Sequence, residues 1–301
     1  MTIKDYLQFI RWKNVLILLL TLGLIKYVLF NSITINATLD NLHYGLLAIS
    51  VVCIAIAGYI INDIYDVEAD LVNKPDRVFV SKKVSRNTAY TIFLFCNSIG
   101  LVTGMYLSYH VGHTSYFIIY LLTSLLLYQY AKDFKKRYVI GNLVIALVVL
   151  MSIVLPLAFD VLPATDSYNR GSQVKMFQII SVIALFGFFL TLAREIVKDM
   201  EDLPGDTKIG ARTFANVLGV TKTRNILLLL GAVIFIGIVC IAFLMRGQNL
   251  MLSVYLTVFV GIPLLYFMYS MHGANDKMAY HRCSGLLKGI MLLGILATLF
   301  L

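Results

Sequence analysis

Asn62-Asp63-Ile64-Tyr65-Asp66-Val67-Glu68-Ala69-Asp70 is an acidic stretch at the end of a long apolar run that begins near Gly45. Its three aspartates are spaced i, i+3 and i+7, so a helix would carry all three carboxylates on one face. Carboxylates at the membrane edge of a hydrophobic helix are costly unless they are paired or bound to a metal ion. This stretch therefore predicts a membrane helix that ends in a charged, ligand-binding face.

The same spacing recurs at a constant offset of 136 residues, with Asp199, Asp202 and Asp206 in the places of Asp63, Asp66 and Asp70. Each copy follows an apolar run and precedes a basic loop. We interpret this as a weak internal repeat, with halves of about 1–137 and 138–301 inside one polytopic domain over 1–301. We expect the two clusters to face each other and to hold divalent cations. Pro204-Gly205 is predicted to break the second helix, so that Asp206 turns back from a loop.

The composition excludes a soluble globular protein, because 59% of the 301 residues are hydrophobic, only 14% are charged and the mean hydropathy is +0.84. About 20 apolar residues cross a bilayer as a helix. Nine stretches qualify: 14–30, 44–64, 88–109, 115–131, 138–159, 174–197, 224–244, 250–271 and 285–301. The predicted fold is an all-α integral membrane protein, since lipid offers an open backbone no hydrogen-bond partners. The fifth helix is expected to end at Pro156, before an outer loop that begins at Asp160.

The net charge of +9 is distributed along the chain in a way that argues against a nucleic-acid partner. With nine spans, one set of loops and the N-terminus carry all of the 25 Lys and Arg except Lys26, Arg170, Lys175 and Arg246. This asymmetry predicts a multi-pass protein of the cell (inner) membrane with a cytoplasmic N-terminus and an outer C-terminus. Both acidic motifs would then lie at the cytoplasmic ends of helices 2 and 6. The first apolar run leads straight into a second span without a small-residue cleavage site, so we expect no cleavable signal peptide.

Basic residues occur after the first acidic motif, before the second, and in a segment between the two. The loop after the first motif contains Arg77, the segment 132–137 contains Lys135 and Lys136, and Lys198 and Arg194 immediately precede the second motif. Positive loops also serve orientation and lipid headgroups, which explains their sign without a binding pocket. Tyr130, beside the second of these segments, is compatible with a phosphate pocket but does not require one. Asn14 stands at the start of the first span, where a helix cap is the simpler interpretation.

The pairing of acids with bases at a membrane edge suits a Mg²⁺-bound diphosphate on a lipid chain. Mg²⁺ keeps several waters and is usually held by one or two carboxylates together with substrate phosphates, while Lys and Arg take the remaining phosphate oxygens. An allylic prenyl diphosphate has both properties, and its cation would form in an apolar cavity that excludes water. We expect a lipophilic acceptor to capture that cation, and no protein partner is implied.

These motifs resemble the UbiA-type intramembrane prenyltransferase superfamily, and the resemblance covers the whole chain. Asn-Asp-x-x-Asp-x-x-x-Asp is matched at 62–70 and extended by Asn73, Pro75 and Arg77, while Lys-Asp-x-x-Asp-x-x-Gly-Asp is matched at 198–206. Arg11 and Asn14 resemble the helix-1 signature, and Tyr130, Lys135, Lys136 and Gly141-Asn142 resemble the segment between helices 4 and 5.

The resemblance implies nine helices around a central cavity and a role for each matched residue. Mg²⁺ would be the cofactor. Its ligands would be Asp63, Asp66, Asp70, Asp199, Asp202 and Asp206, of which Asp63, Asp66, Asp199 and Asp202 would be catalytic. The residues that would bind substrate are Asn14, Asn62, Arg77, Tyr130, Lys135, Lys136, Arg194 and Lys198. Val78 departs from the pattern, since many members have Pro at that position.

Three functions stay open at this point. The segment Arg194–Asp202 resembles the digeranylgeranylglyceryl phosphate synthase subgroup, which implies geranylgeranyl diphosphate as donor and geranylgeranylglyceryl phosphate as acceptor. A second possibility is an aromatic acceptor in quinone biosynthesis. A third, from another class, is a membrane cation transporter, because intramembrane acids also mark ion pathways. A CDP-alcohol phosphotransferase is disfavoured, because the first cluster lacks the Asp-Gly and Ala-Arg elements of that family.

Overall fold

The protein is predominantly helical in the part that the computed structural model describes, which is residues 3–33, 35–75 and 78–301. No β-strand occurs among these residues, so the predicted all-α class is confirmed. Apart from a helical turn at Phe30–Ser32, the α-helices of the described residues are α1 (Ile3–Phe9), α2 (Trp12–Leu24), α3 (Asn41–Tyr65), α4 (Val67–Asn73), α5 (Arg86–His110), α6 (Phe117–Lys132), α7 (Ile140–Pro156), α8 (Arg170–Glu201), α9 (Leu203–Lys208), α10 (Phe214–Leu218), α11 (Val220–Met245), α12 (Leu250–Tyr255), α13 (Ile262–His272) and α14 (Lys277–Leu296).

Eight helical stretches in the described ranges are long and apolar enough to cross a membrane. They correspond to eight of the nine predicted spans, and all but Ile140–Val161 are longer than the predicted apolar stretch. The remaining prediction, 115–131, coincides with α6, which has only 16 residues and a length of about 24 Å, against a hydrocarbon core of about 30 Å. The count of nine therefore stays a prediction.

Three of these stretches include a segment in which the α-helix changes to a π-helix. Such π-type segments occupy Ile25–Leu29 after α2, Leu157–Val161 after α7 and Leu256–Gly261 between α12 and α13. The prediction that the fifth helix ends at Pro156 was therefore wrong, because the chain continues helically to Val161. A membrane helix tolerates proline where a local change of helix type satisfies the backbone groups that proline frees.

The chain divides into two compact units, and α7 and α8 each contribute residues to both. The first unit contains Met1–Phe134 and Met151–Ser181. Within it, α5 packs closely on its neighbours because it presents glycine at the contacts. A Cβ added to Gly104 would lie 2.6 Å from the ring of Tyr120, so any larger residue would push these helices apart.

The second unit contains Lys135–Leu150 and Val182–Leu301. Its core is formed by fully buried side chains of α8, α11, α13 and α14, such as Leu190, Leu227, Phe267 and Leu287. Burial of apolar side chains of this size stabilises a packed unit by about 1.5–3 kcal/mol each in water. Between helices in lipid, close packing takes over much of that role.

A buried ion pair in the first unit includes Asp160, where the outer loop was predicted to begin. Asp160 is fully buried, and its carboxylate accepts hydrogen bonds from Lys26 Nζ and from the Leu39 amide, both at 2.7 Å. Lys26 Nζ also donates to the Leu39 carbonyl at 2.7 Å. The expected outer loop therefore begins after Asp160, and the carboxylate instead joins the π-type segments after α2 and α7 to the segment before α3.

Candidate active site

The first acidic motif spans a short interruption between two helices. Helix α3 ends at Tyr65, Asp66 has φ −91° and ψ 0°, and α4 begins at Val67. The hydrogen bonds from the Asp66 amide to the Asn62 carbonyl (2.9 Å) and from the Asp70 amide to the Asp66 carbonyl (2.8 Å) keep the i to i+4 spacing across the break. The three aspartates thus follow one nearly continuous helical path.

Each of the first two aspartates is held by a neighbour. Arg11 Nη2 donates to Asp63 Oδ1 at 2.7 Å and its guanidinium lies 4.8 Å from the ring centre of Tyr59. Burial opposes the charge of Arg11, but the Asp63 carboxylate raises the pKa of this guanidinium above its usual value. Asp66 is buried and accepts a hydrogen bond from Asn62 Nδ2. The carboxylates are therefore fixed in position by partners on α3 and on the turn before α2.

Arg11 itself occupies the left-handed region of the backbone, with φ 53°, between α1 and α2. Such a conformation is uncommon for a residue with a side chain and often occurs at functional sites. Arg11 is the N-cap of α2, so Asn14 is the third residue of that helix, and the interpretation of Asn14 as its cap was wrong. The spacing between Arg11 and Asn14 in the sequence indicated Arg11 as a candidate, but its ion pair with Asp63 could not be predicted from the sequence.

The predicted site residue Arg77 lies outside the described residues.

The second motif repeats the backbone geometry of the first. Helix α8 ends at Glu201, Asp202 has φ −96° and ψ 5°, and α9 begins at Leu203. The Asp202 amide donates to the Lys198 carbonyl at 2.8 Å, and the Asp206 amide donates to the Asp202 carbonyl at 3.1 Å. The predicted break at Pro204-Gly205 was wrong: the break is at Asp202, and Asp206 lies inside a helix.

Asp199 of the second motif is oriented by a side chain and by a backbone amide. Its Oδ2 accepts from Asn142 Nδ2 at 3.0 Å and from the Phe214 amide at 3.4 Å. The Arg212 amide donates to the Lys136 carbonyl at 2.9 Å, so Lys136 is held against the chain before α10. Within the second unit, therefore, the predicted residue Lys136 and the motif residue Asp199 both accept hydrogen bonds from the backbone of the segment 212–214.

A buried glutamate on α8 links the two predicted basic residues of this helix. Glu195 Oε1 accepts from Lys198 Nζ at 2.7 Å and from Arg194 Nη1 at 3.3 Å, and it also interacts electrostatically with Lys135. Within the described residues, Arg194 Nε is buried and has no hydrogen-bond partner. Tyr130 lies near the end of α6. Glu195 was not among the predicted site residues, although it shares a helical face with Asp199.

The donor set of the motifs fits Mg²⁺. Among the described residues no three acidic, histidine or cysteine side chains form a ready-made metal cage. Mg²⁺ does not require one, because it is bound by one or two carboxylates together with waters and substrate phosphates. Asn62 Oδ1 is buried and, in the described part of the chain, lacks a hydrogen-bond partner. A buried amide oxygen one residue before Asp63 is a hard donor of the kind that this ion accepts.

A model of the UbiA prenyltransferase family matches residues 14–288 of the chain. A digeranylgeranylglyceryl phosphate synthase of Saccharolobus solfataricus is 33% identical over 289 residues, which cover 95% of this chain and 94% of the relative. The synthase of the same name from Sulfurisphaera tokodaii is 36% identical over 228 residues, or 74% of this chain and 73% of the relative.

Solved structures share the fold. A structure described as digeranylgeranylglyceryl phosphate synthase in membranes is 24% identical, covers 99% of both chains and has a TM-score of 0.65. A homologue from Archaeoglobus fulgidus bound to GPP and Mg²⁺ is 15% identical, covers 99% of this chain and 100% of its own, and has a TM-score of 0.64. The all-helical architecture of this chain is therefore that of intramembrane proteins whose structures are known.

Proposed function

The chain belongs to the UbiA prenyltransferase family, and from this premise we propose that it transfers a geranylgeranyl group from geranylgeranyl diphosphate to geranylgeranylglyceryl phosphate. The free hydroxyl oxygen of the acceptor forms an ether bond to C1 of the donor, the bond between C1 and diphosphate breaks, and the hydroxyl proton is released together with the diphosphate. The observation that carries this choice is the 33% identity to a synthase of that name along 95% of the chain. Membership of a prenyltransferase family also argues against the cation transporter.

The six motif aspartates are proposed to bind Mg²⁺, and the structure supports this through the way in which the chain positions them. Arg11 orients Asp63 and Asn62 orients Asp66. Asn142 and the Phe214 amide orient Asp199. Bound Mg²⁺ would stabilise the charge that develops on the departing diphosphate. Partners that fix ligand orientation in this way contribute substantially to metal affinity and activity.

The basic residues are proposed to bind the two phosphate-bearing groups. Lys135, Lys136, Lys198 and Arg77 contact the diphosphate, and Asn14, Asn62 and Tyr130 complete the donor pocket. Arg194 binds the phosphate of the acceptor. The support for this last role is its buried Nε, which has no partner within the described residues, and its long 3.3 Å contact to Glu195. A guanidinium with donors to spare is suited to a phosphate.

An assay with two acceptors tests the proposal. Purified protein is incubated with Mg²⁺ and labelled geranylgeranyl diphosphate, and it is offered geranylgeranylglyceryl phosphate or 4-hydroxybenzoate in separate reactions. We expect a labelled ether lipid with the first acceptor, none with the second, and none with either after chelation of Mg²⁺. Prenylation of 4-hydroxybenzoate instead would assign the chain to the quinone-type branch. Absence of diphosphate release with every acceptor would contradict the enzymatic function.

A further inference from the structure

A groove of about 280 Å³ lies on the surface of the second unit. Its walls are the residues at the start of α7, the last turns of α8, α10 and the first half of α11. All of the described residues that line it are apolar, among them Leu143, Ile196, Phe214 and Leu229. Leu229 is 67% exposed, so the groove opens outward. An exposed apolar surface on a membrane helix faces hydrocarbon chains, and this surface is concave.

Two cations lie close in sequence to lining residues of this groove, beside Phe214, whose amide contacts the second acidic motif. Arg212 precedes the lining residue Phe214 by two positions. Lys222 precedes the lining residue Ile226 by four positions on α11, so the two lie on one helix face. Both cations are exposed, and neither side chain forms an ion pair or hydrogen bond with any described residue.

Hydrogen bonds and ring packing fix the backbone segments that carry Arg212 and Lys222 relative to each other. Thr223, next to Lys222, donates from Oγ1 to the Phe214 carbonyl at 3.1 Å. The Phe214 ring packs against Tyr138 at a centroid distance of 4.9 Å. The Arg212 amide donates to the Lys136 carbonyl at 2.9 Å. The segments that carry the two cations are therefore connected by these contacts to Phe214, which lines the groove.

We propose that this groove binds an anionic glycerophospholipid of the surrounding bilayer. One acyl chain lies along Ile196, Ile226 and Leu229, and the phosphate group lies beside Arg212 and Lys222. An apolar channel with unpaired cations at one end is complementary to a molecule with a hydrocarbon tail and a negative headgroup. A lipid without net charge matches only the apolar part.

The position of the groove gives its occupant a structural role. Phe214 and Leu143 line it, and the Phe214 amide and the neighbouring Asn142 both hold the Asp199 carboxylate. A bound acyl chain therefore packs against the residues that orient the second acidic motif. This site needs neither prenyl diphosphate nor Mg²⁺, so it stands independently of the proposed reaction.

Quenching of a single tryptophan by brominated lipid tests the site. Trp12 is the only tryptophan of the chain, so Trp12→Phe with Leu229→Trp places one reporter in the groove. The matched control is Trp12→Phe with Ile236→Trp, two turns further along α11, at 61% exposure and outside the groove. In phosphatidylcholine vesicles, brominated phosphatidylglycerol should bind at the Leu229→Trp reporter about fivefold or more tightly than brominated phosphatidylcholine. No such preference is expected at the Ile236→Trp reporter.

Charge variants then identify the headgroup contacts. Arg212→Ala with Lys222→Ala should abolish the preference at the groove reporter. Lys4→Ala with Lys132→Ala, which removes the same charge from two other exposed lysines, should preserve it. The proposal is overturned by an equal preference at both reporters, by no preference at either, or by a preference that survives loss of Arg212 and Lys222.

Two further measurements keep the test decisive. Displacement of the brominated lipid by geranylgeranylglyceryl phosphate but not by phosphatidylglycerol would assign the groove to substrate and overturn the proposal. If the reporter variant does not fold, native mass spectrometry of the unaltered chain gives the answer. We expect retained phosphatidylglycerol on that chain and its loss on the Arg212→Ala, Lys222→Ala variant, and equal retention on both would contradict the site.

Discussion

The middle aspartate of each motif occupies the same backbone position, at the junction between a long helix and a short one. Asp66 and Asp202 have nearly equal dihedral angles, φ −91° and ψ 0° against φ −96° and ψ 5°. We predict that Asp66→Asn and Asp202→Asn each reduce turnover by about 100-fold or more, because each removes one of the charges that would hold Mg²⁺ at the leaving group. Diphosphate release and a thermal melt measured on the same preparations check this.

The matched control for these variants is Glu68→Gln. Glu68 lies on α4 between Asp66 and Asp70 and is exposed, and its change removes the same charge. Its activity should stay within about twofold of the wild type, as expected for a surface charge that is largely screened. Wild-type turnover in either aspartate variant, or an equal loss in Glu68→Gln, would contradict the role of the motifs.

Arg194 supports a prediction that separates the acceptor from the donor. Since its Nε has no partner within the described residues, we expect it to bind the acceptor phosphate. Arg194→Gln should raise KM for geranylgeranylglyceryl phosphate about tenfold or more and leave KM for geranylgeranyl diphosphate unchanged, because a charge-assisted hydrogen bond contributes about 1.5–3 kcal/mol. Steady-state kinetics with each substrate varied in turn measures this, and Arg246→Gln on a distant segment is the control. A rise in both KM values would instead indicate that Arg194 orders the second motif.

At the scale of the helices, the sequence predicted which segments are helical better than it predicted where they break. Pro204-Gly205 and Pro156 were both interpreted as helix ends. Pro204 instead lies in the first turn of α9, where its missing N–H would have no intrahelical partner in any case. Pro156 is followed by a π-type turn that continues the helix. The break at Asp202 carries no proline or glycine of its own, so composition alone could not locate it.

The buried pair between Lys26 and Asp160 makes a prediction about the elements that it joins. Removing one partner leaves a buried charge without compensation, which costs about 3–5 kcal/mol. Lys26→Met and Asp160→Asn should therefore each lower the melting temperature in detergent, while the double variant should lose less than the sum of the two. Lys175→Met, at an exposed lysine, is the control and should melt like the wild type. Strict additivity of the two losses would show that the pair is not coupled.

Across the whole molecule, composition and hydropathy were sufficient for the fold class, because lipid leaves a chain this apolar few alternatives to helices. The recurrence of the aspartate spacing was sufficient to choose the candidate residues. The partners that orient them could not be predicted in the same way. Arg11 is 52 residues from Asp63, and Asn142 is 57 residues from Asp199. Contacts of this kind depend on the packing of helices that are distant in sequence, which periodicity does not encode.

The charge asymmetry of the loops predicts the orientation of the whole molecule, with both acidic motifs on the cytoplasmic side. Tyr168 lies between α7 and α8, is 98% exposed and belongs to the opposite set of loops. Lys82 lies between α4 and α5, in the set of loops that contains the motifs, and is exposed. In a chain whose four cysteines are replaced by serine, Tyr168→Cys should react with a membrane-impermeant thiol reagent in intact cells. Lys82→Cys should react only after the cells are permeabilised. The reverse pattern would place the motifs outside and would contradict the predicted orientation.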